Sequence, residues 1–487
     1  MTDTLHSNPL FREQAYFAGK WRHASDGAAM DVFNPATGAV IGRSPVLGEA
    51  DVELAITAAQ EAFNSWSSCT AADRANVLKR WHGLILENRE DLARIMTAEQ
   101  GKPIKEARVE IDISAAYIEW FAEEARRVYG DIIPSPVPGR QTLVTKQPVG
   151  VTAAITPWNF PASMFARKLA PALAAGCAMI VKPSDQTPFV AQGFAVLAEQ
   201  AGLPPGLFSV VTGSSRRIVK VITDSPVVRK LSFTGSTEVG KVLIAQCAGT
   251  VKRMSMELGG NAPVLIFCDC DIDAAVNGLM ALKFRNGGQT CVCANRIFVQ
   301  NRILPEIAEA LVARVKALKV GPGHLEDTDI GPLINAGAAS NMGAIVARAR
   351  EQGANVLTGG TAPGIPGAFF EPTVLSAVTP GMDVARNEIF GPIAPLIGFD
   401  SEDEAVAMAN DTEYGLASYL FTRDLARAWR VSDALDYGMV GINEVSISNE
   451  VAPFGGVKQS GFGREGSKYG LDEYLDIKYR CMGGLST

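Results

Sequence analysis

Cysteine is the side chain here best suited to attack a carbonyl carbon, and one of the eight cysteines among the 487 residues stands apart. Cys291 closes Gly287-Gly288-Gln289-Thr290-Cys291, a glycine-flanked loop that is a poor place to bury a hydrophobe and so predicts an exposed thiol. A loop thiol close to an amide donor and a carboxylate base can perform acyl-type covalent chemistry. Candidates for those two groups follow apolar runs: Asn159 in Pro-Trp-Asn-Phe-Pro and Glu257 in Glu-Leu-Gly-Gly. Spacing alone leaves the three unconnected, with a turn former at Asn159 and a strand-end charge at Glu257 as the plainer readings. Cys268 with Cys270, and Cys291 with Cys293, form Cys-x-Cys pairs. Structural zinc sites leave about two to four residues between ligands. With the four histidines scattered elsewhere, no metal is expected.

The elements that must position these residues alternate from Val149 onward. Apolar runs at 151–156, 179–182, 208–211, 231–234 and 254–258 are separated by helix-like segments, the rhythm of a parallel, doubly wound sheet covered on both faces. Such sheets take ligands beyond the carboxyl ends of their strands. No GxGxxG follows the first run. Gly235-Ser236-Thr237-Glu238-Val239-Gly240 offers instead small and hydroxyl residues at a helix start, which can seat a phosphate, although strand-to-helix turns are glycine-rich for steric reasons too. A second α/β series follows: a strand at 263–267, a helix from Asp271, a strand at 296–299, a helix over 305–319, a turn-rich link at 322–331, and further material to Gly441.

Ahead of both series lie short strands in the first fifty residues and three helices. The first helix carries Val52, Ile56, Ala59, Phe63 and Trp66 on one face. The second opens at Thr70 with Asp73 as a capping box. The third runs from Pro103 to Gly130. Three prolines in 132–138 forbid a helix there, 142–145 reads as a strand projecting from the body, and 468–480 alternates like a late strand.

Length predicts roughly three domains. The net charge of −7 and the shortness of basic clusters such as Arg126-Arg127 argue against nucleic acid, whose phosphates need more positive charge. The longest apolar run, 169–181, holds Pro171 and Gly176 and falls short of the twenty or so residues that span a bilayer. The start, residues 1–4, carries no secretory pattern. A soluble, cytoplasmic protein with reduced thiols is expected.

Six motifs in order over nearly the whole chain resemble the NAD(P)-dependent aldehyde dehydrogenases: Pro-Trp-Asn-Phe-Pro at 157–161, Phe-Thr-Gly-Ser at 233–236, Met-Glu-Leu-Gly-Gly at 256–260, Gly-Gln-Thr-Cys at 288–291, Glu-Ile-Phe-Gly-Pro at 388–392 and Pro-Phe-Gly-Gly at 453–456. Stretches from Phe284, Ser448 and Gly463 are most similar to the succinate-semialdehyde dehydrogenase branch. The resemblance implies an α/β fold with a Rossmann-type cofactor domain (1–130 and 149–258), a second α/β catalytic domain (259–445) and a small β oligomerisation arm (131–148 and 468–487), assembled as a homodimer or homotetramer.

It casts Cys291 as nucleophile, Asn159 as oxyanion donor and Glu257 as the base that activates water. It implies NAD or NADP against Thr156, Pro157, Trp158, Lys182, Ser184, Gly235, Ser236, Glu388 and Phe390. Asp185, three residues past Lys182, leans the choice toward NAD, because a carboxylate accepts from a 2′-hydroxyl and repels a 2′-phosphate. Arg167, Arg285 and Ser448 match residues that hold the distal carboxylate of a small aldehyde, whose chain length (succinate or glutarate semialdehyde) the sequence leaves open. Cys293 has two readings, plain packing or a redox partner forming a disulfide with Cys291. A non-catalytic family member and a cofactor-free thiol hydrolase are the other readings of the chain.

Overall fold

The structure is a computed structural model that describes residues 5–485. Residues 1–4, read above as lacking a secretory pattern, and 486–487 of the expected arm lie outside the described residues. The first sheet has eight strands, five of them parallel in the spatial order Phe208–Val210, Ala178–Lys182, Val151–Ile155, Val228–Thr234 and Arg253–Glu257. Chain order therefore reverses beside the central strand, and the crevice beyond Ile155 and Thr234 is the topological switch point where ligands of doubly wound sheets bind.

A second sheet of seven strands runs from Asn355–Thr358 at one edge through Thr373–Ser376, Ile393–Phe399, Ala294–Gln300, Ala262–Ile266 and Ala417–Phe421 to Met439–Ile442. All its pairs are parallel except the first. The first sheet has one apolar core, and two further clusters pack around the second. A three-stranded antiparallel sheet, Leu475–Met482, Gln141–Pro148 and Asp131–Ile133, stands apart from both.

Local signals account for most boundaries. Thr70 Oγ1 accepts from Asp73 N at 3.2 Å, and the Asp73 carboxylate accepts from Thr70 N at 3.3 Å, so helix Ala71–Glu87 starts where the capping box places it. The apolar run at 169–181 divides into the end of helix Pro161–Ala175, a left-handed Gly176 at φ 98°, and the strand Ala178–Lys182.

Several expectations are corrected. The tail read as one strand begins with a helix, Ser467–Asp472, before Leu475–Met482. The helix after Pro103 ends at Glu124 and is followed by a short 3-10 turn rather than reaching Gly130. A whole helix, Arg89–Gln100, is missing from the sequence reading: Leu92, Ile95 and Met96 stand at helical spacing, but that stripe is short, and Thr97, Glu99 and Gln100 beyond it are buried although polar. No helix of the described residues is long and apolar enough to cross a membrane, and among them no group of three or more His, Cys, Asp or Glu could hold a metal ion.

Candidate active site

Cys291 lies where the two sheets meet, on the loop after helix Ile272–Phe284. Asn286 and Gly287 turn that loop back with φ of 51° and 61°. Gly288 is required outright: its φ is 75°, and a Cβ there would lie 2.2 Å from the Gly391 carbonyl oxygen. The thiol is half-buried rather than exposed as expected. Its loop is roofed by packing and hydrogen bonds to the first sheet's elements, which spacing along the chain could not reveal.

Two cavities share Cys291 as a wall. One, of about 250 Å³, is lined by Pro157, Trp158 and Asn159 from the end of the central strand, Gly235 and Ser236 from the end of the fourth, and Glu388 and Phe390 from the second lobe. The Trp158 and Phe390 rings meet edge to face at 5.4 Å. Ser236 caps helix Thr237–Ala248, accepting from Val239 N, so a helix N-terminus faces this crevice. Glu388 is half-buried with one long bond, from Gly260 N at 3.4 Å, and the desolvation of its carboxyl lifts it to about 8.

The other cavity, of about 330 Å³, holds Arg167, Arg285, Ser448, Tyr117, Phe160 and Phe454. That is the small end of the roughly 300–1,000 Å³ range of ligand pockets, so a short substrate fits best. Arg167 is buried, its guanidinium 3.9 Å from the Phe454 ring centre. Its Nε is 3.1 Å from Glu465 Oε2 but too misaligned for a hydrogen bond, and its Nη2 has no partner. A buried guanidinium with a donor to spare can bond a carboxylate. Arg285 is exposed at the cavity edge and stacks on Phe160 at 5.0 Å. Tyr117 donates to Asn449 O at 2.9 Å and so holds the loop that carries Ser448.

Asn159 is buried, and its Nδ2 donates to Gln289 O at 3.0 Å. Glu257 ends the strand Arg253–Glu257 but lines neither cavity. Its carboxyl faces Gly455, where a Cβ would come within 2.9 Å of Oε1, and its Oε2 has no partner. Burial first, then the charge of Glu465, raise it well above the ordinary carboxylate range. Burial pushes the Cys291 thiol up to about 12, with Arg167 pulling the other way.

Thr156 is buried, its N–H bonded to Lys182 O, and Ser184 Oγ accepts from Gln186 N. Lys182 Nζ is held by Asp185 Oδ1 at 2.7 Å and by Pro183 O. None of these lines the cavities at Cys291; Asp185 borders a separate one of about 590 Å³. Cys293 is buried with Sγ 3.2 Å from Lys283 Nζ, and both it and Cys291 are free thiols. Sequence reasoning missed Glu465, which bonds Lys168 and neighbours Arg167. The signal was two adjacent cations, Arg167 and Lys168, inside an otherwise apolar helix, since buried charges need partners.

The sequence matches the aldehyde dehydrogenase family over residues 21–479. It is 55% identical over 481 residues to a 3-sulfolactaldehyde dehydrogenase of Pseudomonas putida, covering 99% of each chain. It is 53% identical to an NADP(+)-designated succinate-semialdehyde dehydrogenase of Escherichia coli, covering 98% of this chain and 99% of that one. The crystal structure of a succinate-semialdehyde dehydrogenase from Burkholderia pseudomallei superposes with a TM-score of 0.97 at 55% identity, over 98% of this chain and 99% of that one. With a cysteine set between two ligand-sized cavities and these likenesses running end to end, the chain belongs to the aldehyde dehydrogenase family.

Proposed function

We propose that the protein oxidises a short aldehyde with a distal carboxylate, succinate semialdehyde to succinate, using a nicotinamide cofactor and Cys291. The observation that carries this reading is the shared wall: one sulfur borders both an arginine-bearing cavity and the switch-point crevice. The crevice residues fit a nicotinamide nucleotide. Glu388 is a half-buried carboxyl short of donors, which ribose hydroxyls would supply, and the helix start at Ser236 suits a pyrophosphate. The bound cofactor supplies the hydride acceptor.

Cys291 attacks the aldehyde carbon as thiolate, and the carbonyl oxygen takes the negative charge as a thiohemiacetal. Asn159 lends that oxygen an N–H; one such donor is typically worth about 2.7–4 kcal/mol of barrier. Loss of hydride from the same carbon leaves a thioester on Cys291. Glu257 takes a proton from water, the hydroxide adds to the thioester, and the carboxylate product leaves as the thiolate returns. Its raised pKa makes Glu257 a stronger base than an ordinary carboxylate, and glycine at 455 lets the backbone pack against its carboxyl, where a Cβ would come within 2.9 Å of Oε1.

A base must be ionised to act, so activity falls as pH drops through the Glu257 pKa, and that raised value puts the fall above the ordinary carboxylate range. The acid limb of kcat should therefore lie well above pH 4.5 and vanish, along with most activity, in Glu257→Gln. An unaltered limb in that variant assigns the titration to another group.

The ion pair between Lys182 and Asp185 supports NAD, because it neutralises the lysine and the carboxylate would repel a 2′-phosphate bound beside it. A panel of succinate semialdehyde, glutarate semialdehyde and an uncharged aldehyde of equal length, each with NAD and NADP, tests both parts of the reading. The highest kcat/KM is expected for succinate semialdehyde with NAD. Equal rates for charged and uncharged aldehydes overturn the substrate class, and an NADP preference overturns the cofactor choice.

Assembly as a homodimer or homotetramer is supported by the arm, whose strands expose Ile132, Ile477 and Tyr479 at 72%, 73% and 62%. Apolar residues so exposed on an edge strand need a cover. A monomer by light scattering would refute this.

A further inference from the structure

The carboxamide of Asn159 can stabilise an oxyanion only if it is held still relative to the Cys291 sulfur, and the catalytic steps above leave unexplained what holds it. The backbone of Asn159 is gripped from two sides. Lys102 Nζ donates to its carbonyl oxygen at 2.8 Å, and Asn286 Nδ2 donates to the same oxygen at 2.9 Å. Lys102 comes from just ahead of helix Ile104–Glu124, whereas Asn286 belongs to the loop that carries Cys291. The side chain is tied to that loop as well: Asn159 Nδ2 and, at 3.3 Å, Asn286 Nδ2 both donate to Gln289 O, two residues before the nucleophile.

Neither grip is loose. Lys102 is buried and paired with Glu110 at 2.5 Å, and Glu110 Oε1 accepts from Ala162 N and Ser163 N at the start of the helix that follows Asn159. Asn286 is buried in the left-handed region, φ 51°, where asparagine is among the few residues at ease. Its Oδ1 accepts from Gln100 Nε2 at 3.0 Å, its N–H donates to Glu106 Oε2 at 2.8 Å, and its carbonyl accepts from Gln289 Nε2 at 3.0 Å.

We propose that Asn286, backed by Lys102, is a positioning residue that fixes the oxyanion amide of Asn159 against the Cys291 loop. The proposal rests on the reading of Asn159 as oxyanion donor. An amide NH₂ has two donors. With one occupied by Gln289 O, the direction of the other is set, and the Asn286 clamp holds both the carbonyl and the backbone that define it. A shift of this amide by about 1 Å is enough to lose a large part of its effect.

The test is a double-mutant cycle. Asn286→Gly removes the clamp, while glycine keeps the positive φ without strain. On the otherwise unchanged enzyme it should lower kcat roughly 10- to 100-fold, part of the ~10²–10³-fold that one oxyanion donor supplies. KM for the aldehyde and the rate of Cys291 alkylation by iodoacetamide should stay within about threefold, because neither needs the oxyanion amide. On an Asn159→Ala background, Asn286→Gly should cost less than about threefold more, because nothing is left to position. A merely structural role would cost the same on both backgrounds, and that result, or no loss of kcat on the first, overturns the proposal. Asn286→Asp, near-isosteric and tolerant of the same φ, repeats the test should the glycine variant not fold, with the same loss expected. If Asn159→Ala alone leaves kcat intact, the reading of Asn159 fails and the positioning claim fails with it; if Asn159→Ala is slow and Asn286→Gly is not, the positioning claim alone fails.

Discussion

Cys291→Ala should abolish aldehyde oxidation, by more than about 10³-fold in kcat, while leaving the fold and dinucleotide binding intact. In the proposed mechanism the sulfur forms the covalent bond to the substrate, and removal of a nucleophile is among the most damaging single changes an active site can suffer. Because Cys291 is half-buried on a wall common to two cavities, alanine opens a small space there and deletes no bond that holds an element. Dehydrogenase rate by reduced-nicotinamide absorbance and dinucleotide binding by fluorescence titration read the two halves separately. Retained turnover in the variant would remove Cys291 from the chemistry. Cys293→Ala, in contrast, should retain activity. If Cys293 is a redox partner of Cys291, the same substitution also abolishes peroxide inactivation that dithiothreitol reverses; reversible inactivation that persists without Cys293 excludes that disulfide.

The second large effect concerns the distal carboxylate. Arg285→Ala should raise KM for succinate semialdehyde roughly ten- to a hundredfold, the equivalent of about 1.5–3 kcal/mol for hydrogen bonds to a charged group, and leave an uncharged aldehyde of equal length nearly unaffected. The lower half of that range is expected, because Arg285 is exposed and solvent screens it. Arg167 is the deeper cation, but its charge already faces Glu465, so Arg167→Met would leave a buried carboxylate short of a partner and lose stability as well as affinity. Arg285 is therefore the cleaner probe. Equal losses for both aldehydes would show that the guanidinium supports the cavity rather than reads the substrate.

Much of this was legible before any coordinates. The run lengths and the glycine-marked strand ends delimit a parallel sheet, and Asn159, Gly235 and Ser236 fall beyond strand ends and into the crevice, as that topology requires. The Thr70 capping box fixed a helix start because the signal is local. What stayed illegible was long-range. Helix Arg89–Gln100 buries polar Thr97, Glu99 and Gln100 beside its short apolar stripe, and the degree to which Cys291 is covered depends on packing against elements more than a hundred residues earlier. The clamp on Asn159 joins Lys102, Asn159 and Asn286, three residues that no motif spacing connects. Glu257 is the converse: its place at a strand end was readable, but its carboxyl is turned toward Gly455 and Glu465, a rotamer that only neighbours decide.

The central claim is that an acyl group passes through a covalent bond to Cys291. Glu257→Gln, which should form the thioester but hydrolyse it slowly, allows that bond to be caught. After brief exposure to succinate semialdehyde and oxidised nicotinamide cofactor, acid quench and peptide mass mapping should find a succinyl group on the peptide bearing Cys291, formed together with a burst of reduced cofactor. A burst with no adduct at Cys291, or an adduct on a different residue, would contradict it.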